Sequence, residues 1–357
     1  MDIDERLKLI NEVGEEIITE EDLKELLASG EKLYAYDGFE PSGRIHIAQG
    51  LLRAINVNKM AKAGITFKMW VADWHAWANN KLGGDLEKIQ TTGKYMIEVW
   101  KACGMDMEHV EFHWASDAAK DDNYWKLVMQ VARHSTVNRI VRCGQIMGRQ
   151  ESDVQQASQI LYPCMQCADI YYLNAKICQL GLDQRKVNML ARELGPKLGF
   201  WKPAIVSHHM LMGLQEPPEG GDAVERAIEM KMSKSKPDSA IFMTDSDEDV
   251  VRKLKKAFCP EGEAVDNPVL EYCKYIVFEL KDSLIIERPE KWGGNLTFDS
   301  YGALESAFVK KELHPLDLKM ATAKAISSLL QPVRDHFENN ADAKKLKEQV
   351  EGFQVTR

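Results

Sequence analysis

The sequence predicts an α/β fold in which a domain built on a parallel sheet is followed by an all-helical module. Short apolar segments at residues 33–36, 65–72, 109–114 and 204–208 alternate with helical patterns, and this alternation is typical of βαβ units. From residue 247 onward the pattern changes to helices, interrupted by one irregular segment at residues 287–297. A chain of 357 residues, 45% of them hydrophobic, is long enough for two globular domains. We therefore expect a Rossmann-like domain at residues 31–246 and a helical domain at residues 247–357.

The first 30 residues predict a helical leader. The stretch ITEEDLKELLASG has helical periodicity and ends at Gly30, a residue type that is common just after a helix. The acidic N-terminus does not resemble a signal or transit peptide, and no apolar run approaches the roughly 20 residues that a membrane-spanning helix needs. Seven scattered cysteines favour a reducing compartment over a disulfide framework. We expect a cytoplasmic protein that has no membrane partner.

Cysteine spacing and net charge bear on two classes of partner, metal ions and nucleic acids. Cys164 and Cys167 form one C-x-x-C, but no second pair or His-x-His partner lies nearby to complete a zinc site. We interpret both as packing residues on a helix and expect no protein-bound structural metal. The net charge of −9 argues against a chain covered in positive charge for nucleic acid, whereas a local basic surface remains compatible with it.

A strand–loop–helix unit at residues 33–50, LYAYDGFEPSGRIHIAQG, is the first candidate site. The first N–H groups of a helix lack intrahelical acceptors and the helix dipole favours negative charge, so such a unit suits a polyphosphate. His46 lies at the predicted mouth of the helix, and Gln49 follows three residues later on the same face. Because a single histidine beside a turn is more often structural, this motif alone leaves both interpretations open.

Two more segments carry residue types that suit a ligand. Asp73 and His75 follow the strand at residues 65–72, at the end of the strand where ligands of parallel sheets collect. Residues 231–235 read KMSKS and predict a mobile polar loop with Lys231, Ser233 and Lys234. Ammonium groups on flexible stems can close over a triphosphate and neutralise the charge that develops as pyrophosphate leaves. A solvated basic loop is the alternative interpretation.

A polar face on an otherwise apolar helix is the third candidate. In ILYPCMQCADIYYLNAK, the residues Tyr162, Gln166 and Asp169 are spaced by four and three positions, which puts them on one face. Buried polar groups are costly unless they are partnered, so the cluster predicts either a polar ligand or a buried network between helices. The spacing alone does not choose between the two.

Taken together, these motifs resemble one family of enzymes. HIAQ at residues 46–49, behind EPSGR, resembles the HIGH motif of class I aminoacyl-tRNA synthetases, and departs from it at Ala48 and Gln49. Residues 231–235 match the KMSKS motif of the same class letter for letter. The pattern Y-P-x-M-Q-x-x-D, followed by GLDQRK and MLARE, is similar to the tyrosyl-tRNA synthetases of archaeal and eukaryotic cytosolic type. The resemblance extends from about residue 34 to about residue 332.

The resemblance implies an activity, its cofactors and a set of site residues. A tyrosine–tRNA ligase converts L-tyrosine and ATP, with Mg²⁺, to tyrosyl-adenylate and pyrophosphate, and then transfers the tyrosyl group to the 3′ end of tRNA(Tyr). The phenolic hydroxyl of tyrosine would be held by Tyr36 and Asp169, its amino group by Tyr162, Gln166 and Gln184, and its ring by a pocket at Ala72 and His75. The charged transition state would be stabilised by His46, Gln49, Lys231 and Lys234, and ATP would be bound by these four together with Gly38, Glu40 and Ser233.

The resemblance also implies contacts with tRNA. Arg185 matches a residue that reaches the first base pair of the acceptor stem. Trp292, His314 and Asp317 match positions at the first anticodon base, where an indole can stack on the base and a carboxylate can accept from its N–H groups. From spacing alone, the segment around Asp317 is an ordinary helix N-terminus with capping residues.

Oligomeric state and two rival functions complete the expectations. The helical segment at residues 118–161 reads as an insertion within the sheet, and the family implies a homodimer formed through it. One rival is a tryptophanyl-tRNA synthetase, against which the polar pair Tyr36 and Asp169 argues. The other is a catalytically inactive, synthetase-like RNA-binding protein, against which the intact His46 and KMSKS motifs argue.

Overall fold

The structure is a computed structural model that describes residues 1–147, 156–218, 230, 232 and 237–354. Its strands are β1 (Glu16–Ile18), β2 (Tyr34–Phe39), β3 (Thr66–Val71), β4 (Val110–Trp114), β5 (Ile177–Cys178), β6 (Ala204–Ser207), β7 (Leu284–Ile286) and β8 (Leu296–Phe298). Its α-helices are α1 (Ile3–Val13), α2 (Glu20–Ala28), α3 (Arg53–Lys62), α4 (Asp73–Ala78), α5 (Leu86–Ala102), α6 (Ala115–Ala118), α7 (Asp122–Arg133), α8 (Val137–Cys143), α9 (Ala157–Tyr172), α10 (Arg185–Leu194), α11 (Asp247–Lys256), α12 (Pro268–Tyr272), α13 (Phe278–Leu280), α14 (Tyr301–Val309), α15 (Pro315–Asn339) and α16 (Ala341–Glu351).

Six strands form the central sheet, in the order β1-β6-β5-β2-β3-β4. All neighbours from β6 to β4 are parallel, whereas β1 runs antiparallel to β6 at the edge. The chain builds the sheet outward from β2 to β4 on one side and then returns to add β5 and β6 on the other. This reversal creates a crevice at the carboxyl ends of β2 and β5, where open α/β sheets bind their ligands. The predicted Rossmann-like fold is confirmed.

The prediction of a purely helical leader is wrong at one point. Residues 1–30 contain α1 and α2, but β1 lies between them and pairs with β6, with Glu16 opposite Ser207. A three-residue strand is too short for side-chain periodicity to reveal, and its partner is almost 190 positions away in the sequence. The leader is therefore part of the sheet. The two-residue strand β5 was missed for the same reason.

The C-terminal region is helical, as predicted, with one exception. β7 and β8 form a two-stranded antiparallel sheet, with Leu284 opposite Phe298, around the segment predicted to be irregular. Helix α11 begins directly after Ser246, whose hydroxyl accepts from the Asp249 N–H and caps the helix. The domain boundary near residue 246 stays a prediction. Within the described part of the chain, no helix is both long and apolar enough to cross a bilayer.

Two hydrophobic cores position the candidate site. The larger core joins the sheet to the C-terminal helices; in it the rings of Tyr95 and Phe337 lie 5.3 Å apart. The smaller core lies between β2, β3, α7 and α9 and contains Tyr36 and Tyr124. Cys164 and Cys167 are buried in this smaller core with free thiols. The polar face of α9 therefore points into a packed interior and not into solvent.

Candidate active site

Tyr36 provides a buried hydroxyl that has no partner of its own. Its side chain is fully buried on β2, and its Oη atom has no hydrogen-bond partner among the described residues. Burial raises the pKa of Tyr36 well above its ordinary value, and the nearby charge of Asp169 raises it further, so the group remains a neutral hydroxyl. Because an unpaired buried hydroxyl costs free energy, its position suggests a polar ligand.

Asp169 is a buried carboxylate held from two sides. Its Oδ1 accepts from the Tyr124 hydroxyl at 2.8 Å, and its Oδ2 lies 3.0 Å from His75 Nε2. Burial alone lowers the pKa of His75, but its interactions with Asp169, together with the charges of Glu40 and Asp73, more than offset this effect, so the pKa is raised. A carboxylate has about four acceptor positions, which leaves capacity for a donor from a ligand.

Two glutamines meet at the other end of the polar face. Gln166 Nε2 donates to Gln184 Oε1 at 2.9 Å, and Gln184 Nε2 donates to the Ile146 carbonyl at 3.2 Å. Gln166 lies on α9, whereas Gln184 belongs to the turn that precedes α10. The fold thus brings together two amides that are 18 positions apart, and their oxygens can accept from an ammonium group.

Tyr162 and Glu40 adjoin this end of the pocket. The ring of Tyr162 packs edge-to-face on His75 with centroids 5.1 Å apart. Burial raises the pKa of Tyr162 well above its ordinary value, and the charge of the Glu40 carboxylate raises it further. Glu40 also accepts from Asn79 Nδ2 at 2.9 Å and lies 3.6 Å from Lys81 Nζ. The acidic side chain is therefore fixed beside the α9 face.

The backbone after Tyr36 is held by a buried ion pair. Asp37 Oδ1 accepts from the Gly38 N–H at 2.8 Å, and Asp37 Oδ2 accepts from Arg53 Nη1 at 2.6 Å. Burial raises the pKa of Asp37 to about 6 even though the Arg53 charge opposes the rise. A Cβ at Gly38 would lie 3.4 Å from Trp70, which is an ordinary van der Waals contact. Ala72, the last residue before α4, is 4% exposed and belongs to the same core as Tyr36.

The backbone at His46, the predicted N-terminus of a helix, differs from the prediction. A π-helical turn at Ala48–Leu52 precedes α3, so the chain does not enter a regular α-helix directly. The N–H groups of Gln49 and Gly50 both donate to the His46 carbonyl, and the Ile47 N–H donates to Ile241. These three donors are already satisfied, so the expected anion site made of free backbone N–H groups is wrong for them. Phosphate binding here would depend on side chains.

The three KMSKS residues Lys231, Ser233 and Lys234 lie outside the described residues. The chain downstream of them returns to His46, where Phe242 forms an antiparallel β-bridge with His46. The Met243 N–H donates to the Ile45 carbonyl at 2.9 Å on the same side. Residues that are almost 200 positions apart in the sequence are therefore neighbours at the end of the sheet.

The residues predicted to contact tRNA lie in two places. Arg185 Nε donates to both carboxylate oxygens of Glu16, the first residue of β1, at 3.0 and 2.8 Å. The Arg185 side chain is 40% exposed. Trp292 is 66% exposed and ends a short 3-10 turn. Arg288 joins this turn to the α15 region, since it donates to the carbonyls of Gly294 and Glu312 at 3.1 and 3.2 Å.

The prediction of a helix N-terminus at residues 314–317 is confirmed, but the capping side chain is that of His314 and not that of Asp317. His314 is the N-cap of α15, with its Nδ1 accepting from the Leu316 N–H at 3.1 Å, and Pro315 occupies the first turn. Asp317 lines a groove of about 780 Å³ together with Ile285 and Met320. Capping leaves the carboxylate of Asp317 available on this surface.

Sequence reasoning missed three residues of the site, namely Tyr124, Asp37 and Arg53. Tyr124 lies on α7 and is 45 positions from Asp169, so no local spacing connects the two. Asp37 lies inside the apolar strand β2, and Arg53 is the first residue of α3, a helix of mixed composition. A charged residue within a run that otherwise predicts a buried strand was the one available signal, because such a charge needs a partner.

Comparisons with known proteins agree with this geometry. The family model for class I tRNA synthetases (W and Y) matches residues 28–331. The tyrosine–tRNA ligase 1, cytoplasmic, of Arabidopsis thaliana is 52% identical to the whole of this chain, which spans 90% of that relative. The chain belongs to the tyrosyl-tRNA synthetases. It is therefore an enzyme, a tyrosine–tRNA ligase, and the class I synthetases to which it belongs use ATP.

Two solved structures are similar over almost the whole chain. The Pyrococcus horikoshii tyrosyl-tRNA synthetase complexed with L-tyrosine has a TM-score of 0.91 and 40% identity, and the match covers 98% of this chain and 100% of that one. The Leishmania major enzyme in complex with tyrosinol has a TM-score of 0.90 and 45% identity. That match covers all of this synthetase but 61% of the Leishmania chain.

Proposed function

We propose that this synthetase binds tyrosine with its phenolic hydroxyl between Tyr36 and Asp169. The hydroxyl would donate to the Asp169 carboxylate and accept from the unpaired Tyr36 hydroxyl. The ring would lie in the pocket formed by Ala72 and His75. The single observation that carries this proposal is the buried Tyr36 Oη without a partner beside a buried carboxylate. The pair suits a substrate with a polar ring end, because an amino acid that lacks the hydroxyl would leave the Tyr36 hydroxyl unpaired and would not use the remaining acceptor capacity of Asp169.

The amino group of tyrosine would bind at the other end of the α9 face. Tyr162, Gln166 and Gln184 can supply three oxygen acceptors to an ammonium group. The existing bond between the two glutamines supports the assignment, because it shows that both amides can reach one point. The fixed Glu40 carboxylate adds negative charge on this side of the pocket. We assign Glu40 and Gly38 to the residues that would also bind ATP.

Tyrosine activation would occur next to His46. A carboxylate oxygen of tyrosine attacks the α-phosphate of ATP, a new P–O bond forms, and the bond to the bridging oxygen of pyrophosphate breaks. His46 and Gln49 would donate hydrogen bonds to the phosphate oxygens, and Lys231, Ser233 and Lys234 would act from the KMSKS segment. Positioning and electrostatic stabilisation can supply the rate increase, so no side-chain nucleophile is required.

Mg²⁺ would enter with the phosphates of ATP. Among the residues that the structure describes, no group of three or more His, Cys, Asp or Glu side chains is arranged to hold a metal ion. Mg²⁺ usually keeps several waters and binds through substrate phosphates, a mode that fits such a site. The ion would neutralise negative charge on pyrophosphate.

The tyrosyl group would then pass to tRNA(Tyr). A hydroxyl of the terminal ribose attacks the activated carbonyl, and AMP leaves. Arg185 would contact the acceptor stem with the part of its guanidinium group that does not face Glu16. Trp292, His314 and Asp317 would read the first anticodon base; the 66% exposure of Trp292 supports a stacking role.

Replacing Asp317 with alanine is expected to separate the two half-reactions. The rate of tRNA charging should fall by about 10- to 100-fold, because a carboxylate bond to a base is worth about 1–3 kcal/mol. Tyrosine-dependent ATP–pyrophosphate exchange, measured on the same preparation without tRNA, should stay within about twofold. Asp342→Ala, a substitution at the exposed start of α16, serves as the control. A parallel fall in exchange would count against the anticodon role.

We also propose a homodimer formed through residues 118–161. The described part of this segment exposes large apolar side chains, with Met129 61% and Val137 65% exposed. Val137→Glu is expected to shift the sedimentation coefficient from dimer to monomer, since a charge at the centre of an apolar interface costs several kcal/mol. Val265→Glu, at an apolar residue that is 81% exposed in the C-terminal region, should leave the sedimentation coefficient unchanged. A wild-type chain that sediments as a monomer at all concentrations contradicts the proposal.

ATP–pyrophosphate exchange with each of the amino acids in turn tests the function. We expect exchange with tyrosine and little with phenylalanine or tryptophan. Exchange that prefers tryptophan would favour the sister synthetase, and no exchange with any amino acid would favour an inactive RNA-binding relative. The name of the Arabidopsis relative supports a cytoplasmic location for this activity.

A further inference from the structure

Asp245 is the centre of a buried cluster of charges that the catalytic scheme does not use. Its Oδ1 accepts from Arg44 Nη2 at 2.8 Å, and its Oδ2 accepts from Lys253 Nζ at 2.5 Å. The Asp245 side chain is 2% exposed and the Lys253 side chain 3% exposed. Removing such charges from water costs free energy that an apolar cluster of the same size would not. A cluster of this kind therefore needs a reason beyond stability.

The cluster clamps the chain segment that follows the KMSKS motif. The Phe242 N–H donates to Asp245 Oδ2 at 2.9 Å, and Lys253 Nζ donates to the Ala240 carbonyl at 2.9 Å. Both cations also approach the Phe242 ring, with Arg44 Cζ 4.4 Å and Lys253 Nζ 4.8 Å from its centroid. Three residues of the segment at 240–245 are thereby fixed by charge as well as by packing.

This clamped segment lies directly against His46. Phe242 is bridged to His46, and backbone bonds of 2.8 and 2.9 Å join Ile47 to Ile241 and Met243 to Ile45. At Gly50, a Cβ would lie only 2.3 Å from Met243 Sδ, so the π-helical turn packs tightly on the same segment. A shift of residues 240–245 would therefore move the backbone of His46.

The cations of the cluster come from both parts of the chain. Arg44 precedes His46 in the sheet domain, whereas Lys253 lies on α11 in the C-terminal region. Arg334, on α15, adds a hydrogen bond of 3.1 Å from Nη1 to the Asp245 carbonyl. The helical region thus reaches the backbone next to His46 through two side chains.

We propose that Arg44, Asp245 and Lys253 form a positioning cluster that sets the place of His46 for adenylate formation. The helical module thereby acts in the first half-reaction, in the absence of tRNA, in addition to its role at the anticodon. The proposal rests on the role of His46 proposed above. Asp245 and Lys253 are positioning residues, because they act through the backbone of His46 and touch no substrate.

Lys253→Met and Asp245→Asn test the cluster, with Lys255→Met as the matched control. All three variants keep side-chain size, and Lys255 is an exposed lysine on the same helix. We expect the two cluster variants to lower kcat of tyrosine-dependent pyrophosphate exchange by about 10- to 100-fold, the usual effect of a small misplacement of catalytic groups. The dissociation constant for tyrosine, measured by equilibrium dialysis, should stay within about twofold, and Lys255→Met should match the wild type in both measurements.

A double-mutant comparison separates positioning from a merely structural role. If Asp245 acts through His46, then adding Asp245→Asn to His46→Ala should lower kcat by less than about threefold beyond His46→Ala alone. Full multiplication of the two losses overturns the proposal, as does an unchanged kcat in Lys253→Met and Asp245→Asn. The function itself is tested separately: absence of exchange in the wild type refutes the proposed function, whereas normal wild-type exchange with unaffected variants refutes the cluster alone.

Discussion

Asp169→Asn is expected to lower kcat/KM for tyrosine in pyrophosphate exchange by about 100-fold, because a hydrogen bond to a charged group is worth up to about 3 kcal/mol. The carboxylate accepts from Tyr124 and lies beside His75, and in the proposed complex it also accepts from the substrate hydroxyl. An asparagine has one acceptor oxygen for these donors, and its NH₂ group would face a hydroxyl donor. Phenylalanine makes no bond to Asp169, so its kcat/KM should change little and the preference for tyrosine should narrow.

Tyr124→Phe provides a graded comparison at the same site. It removes the hydroxyl that donates to Asp169 Oδ1 at 2.8 Å but keeps the charge and the packing of the ring. The expected loss in kcat/KM for tyrosine is less than about tenfold, because the lost bond supports the carboxylate but makes no contact with the substrate. If Asp169→Asn retained wild-type kcat/KM and selectivity, the phenolic hydroxyl of tyrosine would bind elsewhere and the proposed orientation would be wrong.

His46→Ala is expected to slow adenylate formation by about 10²- to 10³-fold, the usual cost of removing one donor that stabilises a developing negative charge. The dissociation constant for tyrosine should remain near that of the wild type, because His46 lies at the phosphate side of the site and Tyr36 and Asp169 hold the amino acid. Single-turnover formation of tyrosyl-adenylate measures the first quantity, and equilibrium dialysis with tyrosine measures the second.

His109→Ala is the matched control for this experiment. His109 directly precedes β4, so it lies at the amino end of the strands, whereas His46 lies at the carboxyl end. His109→Ala should leave the rate of adenylate formation and the dissociation constant for tyrosine unchanged. A change in either would reveal a general effect of replacing a histidine. Equal weakening of tyrosine binding and of adenylate formation in His46→Ala would contradict the division of roles between the two ends of the pocket.

The fold class could be predicted because its main strands are long enough to show a pattern. β3, β4 and β6 lie within the apolar segments predicted at residues 65–72, 109–114 and 204–208. The strands that were missed, β1 and β5, have three and two residues, and neither is long enough for the alternation of side chains to repeat. Their pairing with β6 depends on backbone hydrogen bonds between distant parts of the chain, which leave no trace in the local sequence.

The candidate site, too, could be predicted from the sequence only in part. The polar face of α9 followed from the spacing of Tyr162, Gln166 and Asp169, since helix geometry alone places residues three and four apart on one side. Its partner Tyr124 could not be predicted, because that residue comes from another element, and Gln184 was grouped with this face by the family resemblance and not by spacing. The backbone at His46 was predicted to offer free N–H groups, and the return of the chain through Ile241 satisfies one of them.

By itself, the sequence determined the class of sheet, the helical C-terminal region and the local motifs that resemble a tyrosyl-tRNA synthetase. Periodicity and short motifs involve about ten consecutive residues, so they can be recognised without knowledge of the rest of the chain. Only the tertiary structure decided which groups share a buried environment: Tyr124 beside Asp169, Arg53 beside Asp37, and Lys253 beside Asp245. The physical reason is that the charge and hydrogen-bonding state of a buried group depends on its neighbours in space, and packing, not sequence distance, chooses those neighbours.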